Sequence, residues 1–221
     1  KILKNKQLKV SKEKKTLEYL ISDCIKYGTI PFAKLARHAF IAKSILLSLQ
    51  AKGVFTKDEV SNFQSSISTV ATELIREISE VSNGNKSQKD FMKKYGHLRP
   101  GTYDILSPRY DMVKDFFNSD NNFSKEGIKN KFTVTNEQTS KIDNLLRINS
   151  IYVIDANGLM NYIEKAITLR EYSKFVFTRS VSDILEIVTE FGSKNDMDRD
   201  EMSYVPIHKI NTAFKMDKQY T

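Results

Sequence analysis

The 221-residue sequence is poor in the residues that cross-link or punctuate a chain: one cysteine, four prolines, eight glycines and three histidines. The lone Cys24 excludes an internal disulfide, and with nothing else to set the compartment, the cytoplasm is the default expectation. Cys24 continues the helical pattern Leu17, Leu20, Ile21, which places its thiol in the core. No glycines cluster into a phosphate-binding loop with its lysine, and no nucleophile elbow occurs. His38, His97 and His208 are too scattered for a metal site. No apolar run is long enough to cross a membrane. The lysine-rich start has no hydrophobic segment behind it, so a signal peptide is not expected.

What is present is a chain 40% hydrophobic and 28% charged, the balance of a folded globular protein large enough for one sizeable helical core or two smaller ones. Because it opens on lysine, it is expected to be a piece of something longer. The formal charge of +8 invites a nucleic-acid reading. However, Lys1, Lys4, Lys6, Lys9, Lys12, Lys14 and Lys15 account for nearly all of it, and no DNA- or RNA-binding motif accompanies them. The excess belongs to a terminal arm.

Periodicity predicts helix after helix, hence an all-α fold, an irregular multi-helix bundle with one central non-helical loop. Ser11 is a candidate cap for a first helix ending at Gly28. Pro31 suits the first turn of a second, in which Phe32, Leu35, Ala39, Ala42, Leu46 and Leu49 form a buried stripe. Thr56 to Glu59 spell a capping box, with Phe55 and Val60 as its staple, and predict one helix from there to about Val81. That helix should pair with the second as an antiparallel hairpin. A short helix follows over 88–95. Ser107 and Pro108 predict another through Phe116 and Phe117, and residues 118–122 read as an exposed turn. Residues 127–133 show little periodicity. Thr135 to Gln138 form a second capping box, and Asp198 to Glu201 a third start signal. The isolated run 151–154 should span a gap between helices rather than form a sheet. A long helix is expected from about Asp155 to Phe191, and it places Arg170 where the period asks for an apolar residue.

A buried guanidinium needs a carboxylate or an anionic ligand. Arg170 therefore either pairs with an acid of a neighbouring helix, Asp104 being one candidate, or lines a substrate cavity together with Arg179. Arg37 and His38 pose a similar choice, as edge residues of their helix or as groups reaching towards the central loop.

That loop, residues 95–110, reads Tyr-Gly-His-Leu-Arg-Pro-Gly-Thr-Tyr-Asp-Ile-Leu-Ser-Pro-Arg-Tyr and holds two of the eight glycines and two of the four prolines. Gly96, Pro100 and Gly101 keep it from being helical. It displays His97, Arg99, Tyr103, Asp104, Arg109 and Tyr110 with few spacers. Dense functional groups on an irregular loop suit binding. The structural alternative is an ordinary helix break in which Asp104 pairs with an arginine and His97 caps a helix end.

The loop resembles the Gly-His-Arg-Gly-Pro-Gly-Glu-x-Asp segment, followed by Pro-Arg-Trp or Pro-Arg-Tyr, of the phosphoenolpyruvate synthase/pyruvate phosphate dikinase-like phosphotransferases, a family that includes rifampicin phosphotransferase. Residues 29–42, Thr-Ile-Pro-Phe-Ala-Lys-Leu-Ala-Arg-His-Ala-Phe-Ile-Ala, look like the helix before that loop. Residues 170–179, Arg-Glu-Tyr-Ser-Lys-Phe-Val-Phe-Thr-Arg, and 199–207, Arg-Asp-Glu-Met-Ser-Tyr-Val-Pro-Ile, look like the end of the same region. Leu98 and Thr102 depart from the pattern, standing where arginine and glutamate are expected. The resemblance implies the middle helical region of a longer enzyme, between an ATP-grasp domain and a swivelling phosphohistidine domain of the same polypeptide. No histidine here follows a Gly-Gly-Ser/Thr type of segment that would present a phosphohistidine, so the chain is not expected to be catalytic alone.

ATP and Mg are implied for the parent enzyme, with no cofactor or metal in this chain. A small-molecule acceptor is implied as the partner, and no membrane. By resemblance the substrate-binding residues are His97, Arg99, Tyr103, Asp104, Arg109, Arg170, Arg37, His38 and Arg179. The expected division is a helical subassembly over 1–94, the loop over 95–110, and a second subassembly over 111–221. The rival reading is a stand-alone interaction module, binding nucleic acid through its lysine arm.

Overall fold

The structure, a computed structural model, describes residues 2–4, 17–117 and 132–216. Among these the fold is all-α and no strand forms. The Ser11 cap, the lysine arm from Lys6 to Lys15, the turn at 118–122, residues 127–131 and the tail from 217 lie outside the described residues.

In chain order the helices are α1 (Leu17–Cys24), α2 (Ile30–Ala51), α3 (Lys57–Ser66), α4 (Val70–Ser82), α5 (Gln88–Tyr95), α6 (Asn136–Ile148), α7 (Ala156–Lys194), α8 (Arg199–Ser203) and α9 (Ile207–Met216). All three capping boxes form, with Thr56, Thr135 and Asp198 as N-caps. Asp155 starts α7 by accepting from the Gly158 N–H at 2.7 Å. The run before it crosses as irregular chain, with Val153 97% exposed.

Three expectations need correction. Gly28 does not end a helix. The backbone passes through a π-turn, Ile25–Thr29, and continues into α2. The helix expected over 57–82 is broken, because Ile67 is extended (ψ 119°) and the Ser66 hydroxyl donates to the Phe63 carbonyl at 2.8 Å. Thr69 then opens α4 by accepting from the Thr72 N–H. The hydroxyl residues Ser65, Ser66, Ser68 and Thr69 around Ile67 compete with the helix for its own backbone. Finally, no helix follows Pro108. Only a 3₁₀ turn, Tyr110–Met112, forms there, since the Tyr110 and Asp111 N–H groups donate back to the Leu98 and Gly96 carbonyls at 2.8 and 3.1 Å.

The described chain makes two compact units, neither of them a consecutive stretch. One comprises Phe32–Ile75 and Phe123–Tyr172. Its core joins Ala42, Leu46 and Leu49 of α2, Val60 and Phe63 of α3, Ile142 and Leu146 of α6, and Leu159 and Ile163 of α7. Phe132 sets its ring edge-on to Phe55 and Phe63. The capping boxes of α3 and α6 are also joined, Gln138 Nε2 donating to Glu59 Oε1 at 2.9 Å.

The other unit comprises Lys1–Pro31, Arg76–Asn122 and Ser173–Thr221. Leu17, Ile105, Val188, Phe191, Met202, Ile210 and Phe214 form its apolar core. An aromatic cluster of Phe91, Tyr95, Tyr110, Phe116 and Phe117 supports the central loop. The Cys24 thiol lies in this unit, 3.9 Å from the Phe177 carbonyl, and burial pushes its pKa up to about 11.

Candidate functional site

The central loop leaves the end of α5 and returns along α7. Gly96 is required by space rather than by backbone angle. Its φ is −55°, but a Cβ would lie 2.5 Å from the Met92 carbonyl oxygen and 2.9 Å from Asp111. That closeness admits the two backbone hydrogen bonds from the 110–111 segment.

Arg99 is the clamp. Its side chain keeps 1% of its surface exposed. Nε and Nη2 donate to the Ser182 hydroxyl at 3.3 and 3.0 Å, and Nη2 also pairs with Glu186 Oε1 at 2.8 Å. Nη1 donates to the carbonyls of Asp104 and Ser107 at 3.2 and 3.0 Å. The loop thus folds around a guanidinium fixed to α7, whose every nitrogen is engaged. Glu186 also receives Arg199 at 2.7 Å, and Arg199 donates to the Ile105 carbonyl at 2.9 Å. Thr178, Ser182 and Glu186 are all buried, and their four-residue spacing aligns them along α7 towards the loop.

Asp104 does not pair with an arginine through its carboxylate. Its Oδ1 accepts from the Leu106 N–H at 2.9 Å, an Asx turn that shapes the loop tip. Tyr103 stands on that tip, 61% exposed.

On the other side of the loop lies a charged cluster. Arg109 pairs with Asp111 and with Asp183 of α7, each at 2.8 Å. Burial alone would lower its pKa, but the two carboxylates outweigh this and raise it. Asp183 keeps 37% of its side-chain surface open, yet the surrounding protein withholds enough solvent to raise its pKa despite Arg109. Arg179 donates through Nη2 to the Lys93 and Lys94 carbonyls at 3.2 and 2.9 Å, closing the carbonyl end of α5. Burial, opposed by Asp183 and reinforced by Arg109, lowers its pKa.

His97 lies beside this cluster, 1% exposed, its ring centroid 5.0 Å from that of Phe175. Neither ring nitrogen has a partner in hydrogen-bond geometry among the described residues. The Phe175 and Lys94 carbonyls are near enough to favour a charge on the ring. Burial first, then the charge of Arg179, nonetheless drives its pKa down to about 3. His97 is therefore a neutral imidazole, with the Phe175 and Lys94 carbonyls close to it but outside hydrogen-bond geometry.

The remaining expected residues stand elsewhere. Arg170 is half-exposed and pairs with Glu171 at 3.2 Å instead of with Asp104. Arg37 is exposed, and His38 Nδ1 meets the Tyr162 hydroxyl at 3.1 Å. These three belong to the first unit, and the loop belongs to the other. The structure thus brings together His97, Arg99, Arg109 and Arg179, and it adds Asp111, Ser182, Asp183, Glu186 and Arg199, which sequence reasoning missed. The recurrence of Thr178, Ser182 and Glu186 is the signal that could have marked that face of α7.

No group of residues able to hold a metal ion occurs among the described residues, and no helix among them is long and apolar enough to cross a membrane. No protein-family model, curated protein or solved structure matches the chain.

Proposed function

We propose that this chain is the acceptor-holding helical region of an ATP-dependent phosphotransferase similar to phosphoenolpyruvate synthase and pyruvate phosphate dikinase. The observation that carries the reading is His97, a buried, uncharged and unpartnered imidazole beside Arg109 and Arg179, on the loop where the resemblance is densest. Phosphoryl transfer asks a protein for position and for fixed positive charge, more than for covalent chemistry. A loop clamped on Arg99 supplies position, and Arg109 and Arg179 supply charge. In this reading ATP and Mg bind to the ATP-grasp domain of the same polypeptide, and the swivelling domain brings the phosphoryl group to the acceptor held here. Arg99 and Asp104 then act on the loop's shape rather than on the ligand.

The test has two parts. An antibody to this chain should detect a native polypeptide far heavier than 25.4 kDa, and a band near that mass would overturn the reading. In that whole polypeptide, His97→Ala should lower ATP-dependent phosphoryl transfer by roughly tenfold or more, the loss typical of one positioned catalytic-site group, while leaving the helical region folded. Unchanged turnover would count against it.

A further inference from the structure

We propose that His97 and Arg179 together form an oxyanion site, one that takes a carboxylate or phosphate oxygen between the imidazole and the guanidinium. The inference rests on the functional reading above only in using the same loop, and it names the chemistry of the group bound there.

Three observations lead to it. His97 is 1% exposed, and neither ring nitrogen has a hydrogen-bond partner among the described residues, although buried polar atoms are nearly always satisfied. Arg179 spends only Nη2, on two carbonyls, leaving Nε and Nη1 without a partner among the described residues. The charge that bears most on His97 is that of Arg179, followed by that of Arg109. The groups facing the site are thus two guanidinium ions, the Asp111 and Asp183 carboxylates already committed to Arg109, and the Lys94 and Phe175 carbonyls. A ligand that completes the arrangement must accept from Arg179 and from an imidazole N–H while carrying negative charge. A neutral hydroxyl meets the first need and not the second. An oxyanion meets both, and the half-buried Arg179 gives it a way in from solvent.

Binding should also move a proton. With an oxyanion beside it the ring no longer faces uncompensated positive charge, so its free lone pair takes a proton from solvent. One N–H of the resulting imidazolium then serves the ligand, and the other serves the Lys94 or Phe175 carbonyl. Affinity should rise as pH falls from 7 to 5, with proton uptake on binding.

The experiment is a titration of the chain, labelled with ¹⁵N-histidine, at pH 6 with inorganic phosphate in one arm and sodium acetate in the other. The His97 ring signals are assigned by their absence in His97→Gln. A saturable shift of those signals towards imidazolium in at least one arm is expected, and the arm that responds identifies the anion. Arg179→Gln should weaken the response about tenfold, the worth of one charge-assisted hydrogen bond, and Arg179→Lys should restore it only in part. His97 signals unmoved in both arms, or moved equally in Arg179→Gln, overturn the proposal. Its failure is separable from failure of the functional reading, because the ring signals report binding in this chain and turnover reports transfer in the whole polypeptide.

Discussion

At the scale of the residue, Arg99 shows why a cation on a functional-looking loop need not be for a ligand. Its three nitrogens reach Ser182, Glu186 and the carbonyls of Asp104 and Ser107. Removing it would strand the Ser107 carbonyl and leave Glu186 Oε1 with only the longer bond from Arg199 at 3.4 Å, and breaking a buried pair from one side is the costly way to break it. Arg99→Met is expected to cost about 3 kcal/mol in urea unfolding, against about 1 kcal/mol for Arg109→Gln, whose partners are more exposed. Equal losses in the two variants would refute the clamp. The identity of Arg99 was legible in the sequence. Its commitment to Glu186 was not, because the two lie 87 residues apart.

At the scale of the element, the capping boxes were the most readable features, because their hydrogen bonds close within four residues. Thr56 with Glu59 and Thr135 with Gln138 form as their spacing dictates. The bond between the two boxes, from Gln138 to Glu59, has no local signature. The π-turn Ile25–Thr29 shows the reverse case, a glycine chosen for space. A Cβ on Gly28 would stand 2.7 Å from the Phe177 Cβ, so the turn lies directly against α7. Gly28→Ala should therefore destabilise by about 1–3 kcal/mol through overpacking, although alanine is the better helix former. A thermal midpoint unchanged or raised in that variant would sink the idea. The failed helix after Pro108 belongs at this scale too, since cap and first-turn proline were both present. Two backbone bonds to Leu98 and Gly96 took the N–H groups that a helix would have used.

At the scale of the whole molecule, the buried titratable groups set how stability depends on pH. His97, held near 3 in the fold, binds protons more tightly in the unfolded chain, where an unperturbed histidine titrates near about 6.5. Its contribution is full above that value and is lost as pH falls towards 3. Burial pushes Glu77 up, but Lys86 and Lys94 at 2.5 and 2.7 Å outweigh it and hold the carboxyl below its usual range. Its contribution is full above the usual carboxylate range and is lost as pH falls through and below that range. Asp183, raised by burial, acts in the opposite sense and favours the fold as it takes its proton. The urea midpoint should consequently fall between pH 7 and pH 5, the window in which the histidine of the unfolded chain takes its proton and buried His97 does not. His97→Leu should flatten that fall, and an equal slope in the variant would show that the acid sensitivity arises elsewhere.

By itself the sequence determined that the fold is all-α, where most of its helices start, and which loop gathers the polar groups. Those signals are local: apolar periods of three and four, caps that close over three residues, and glycine and proline in residues 95–110. Only the tertiary structure decided the rest. It assigned non-consecutive segments to two units, turned Arg99 inward, left Arg170 half-exposed beside Glu171, and set His97 unpartnered next to Arg179. The physical reason is that a side chain's charge state and partners follow from what is packed against it. For His97 those neighbours are Phe175 and Arg179, some eighty residues further along the chain.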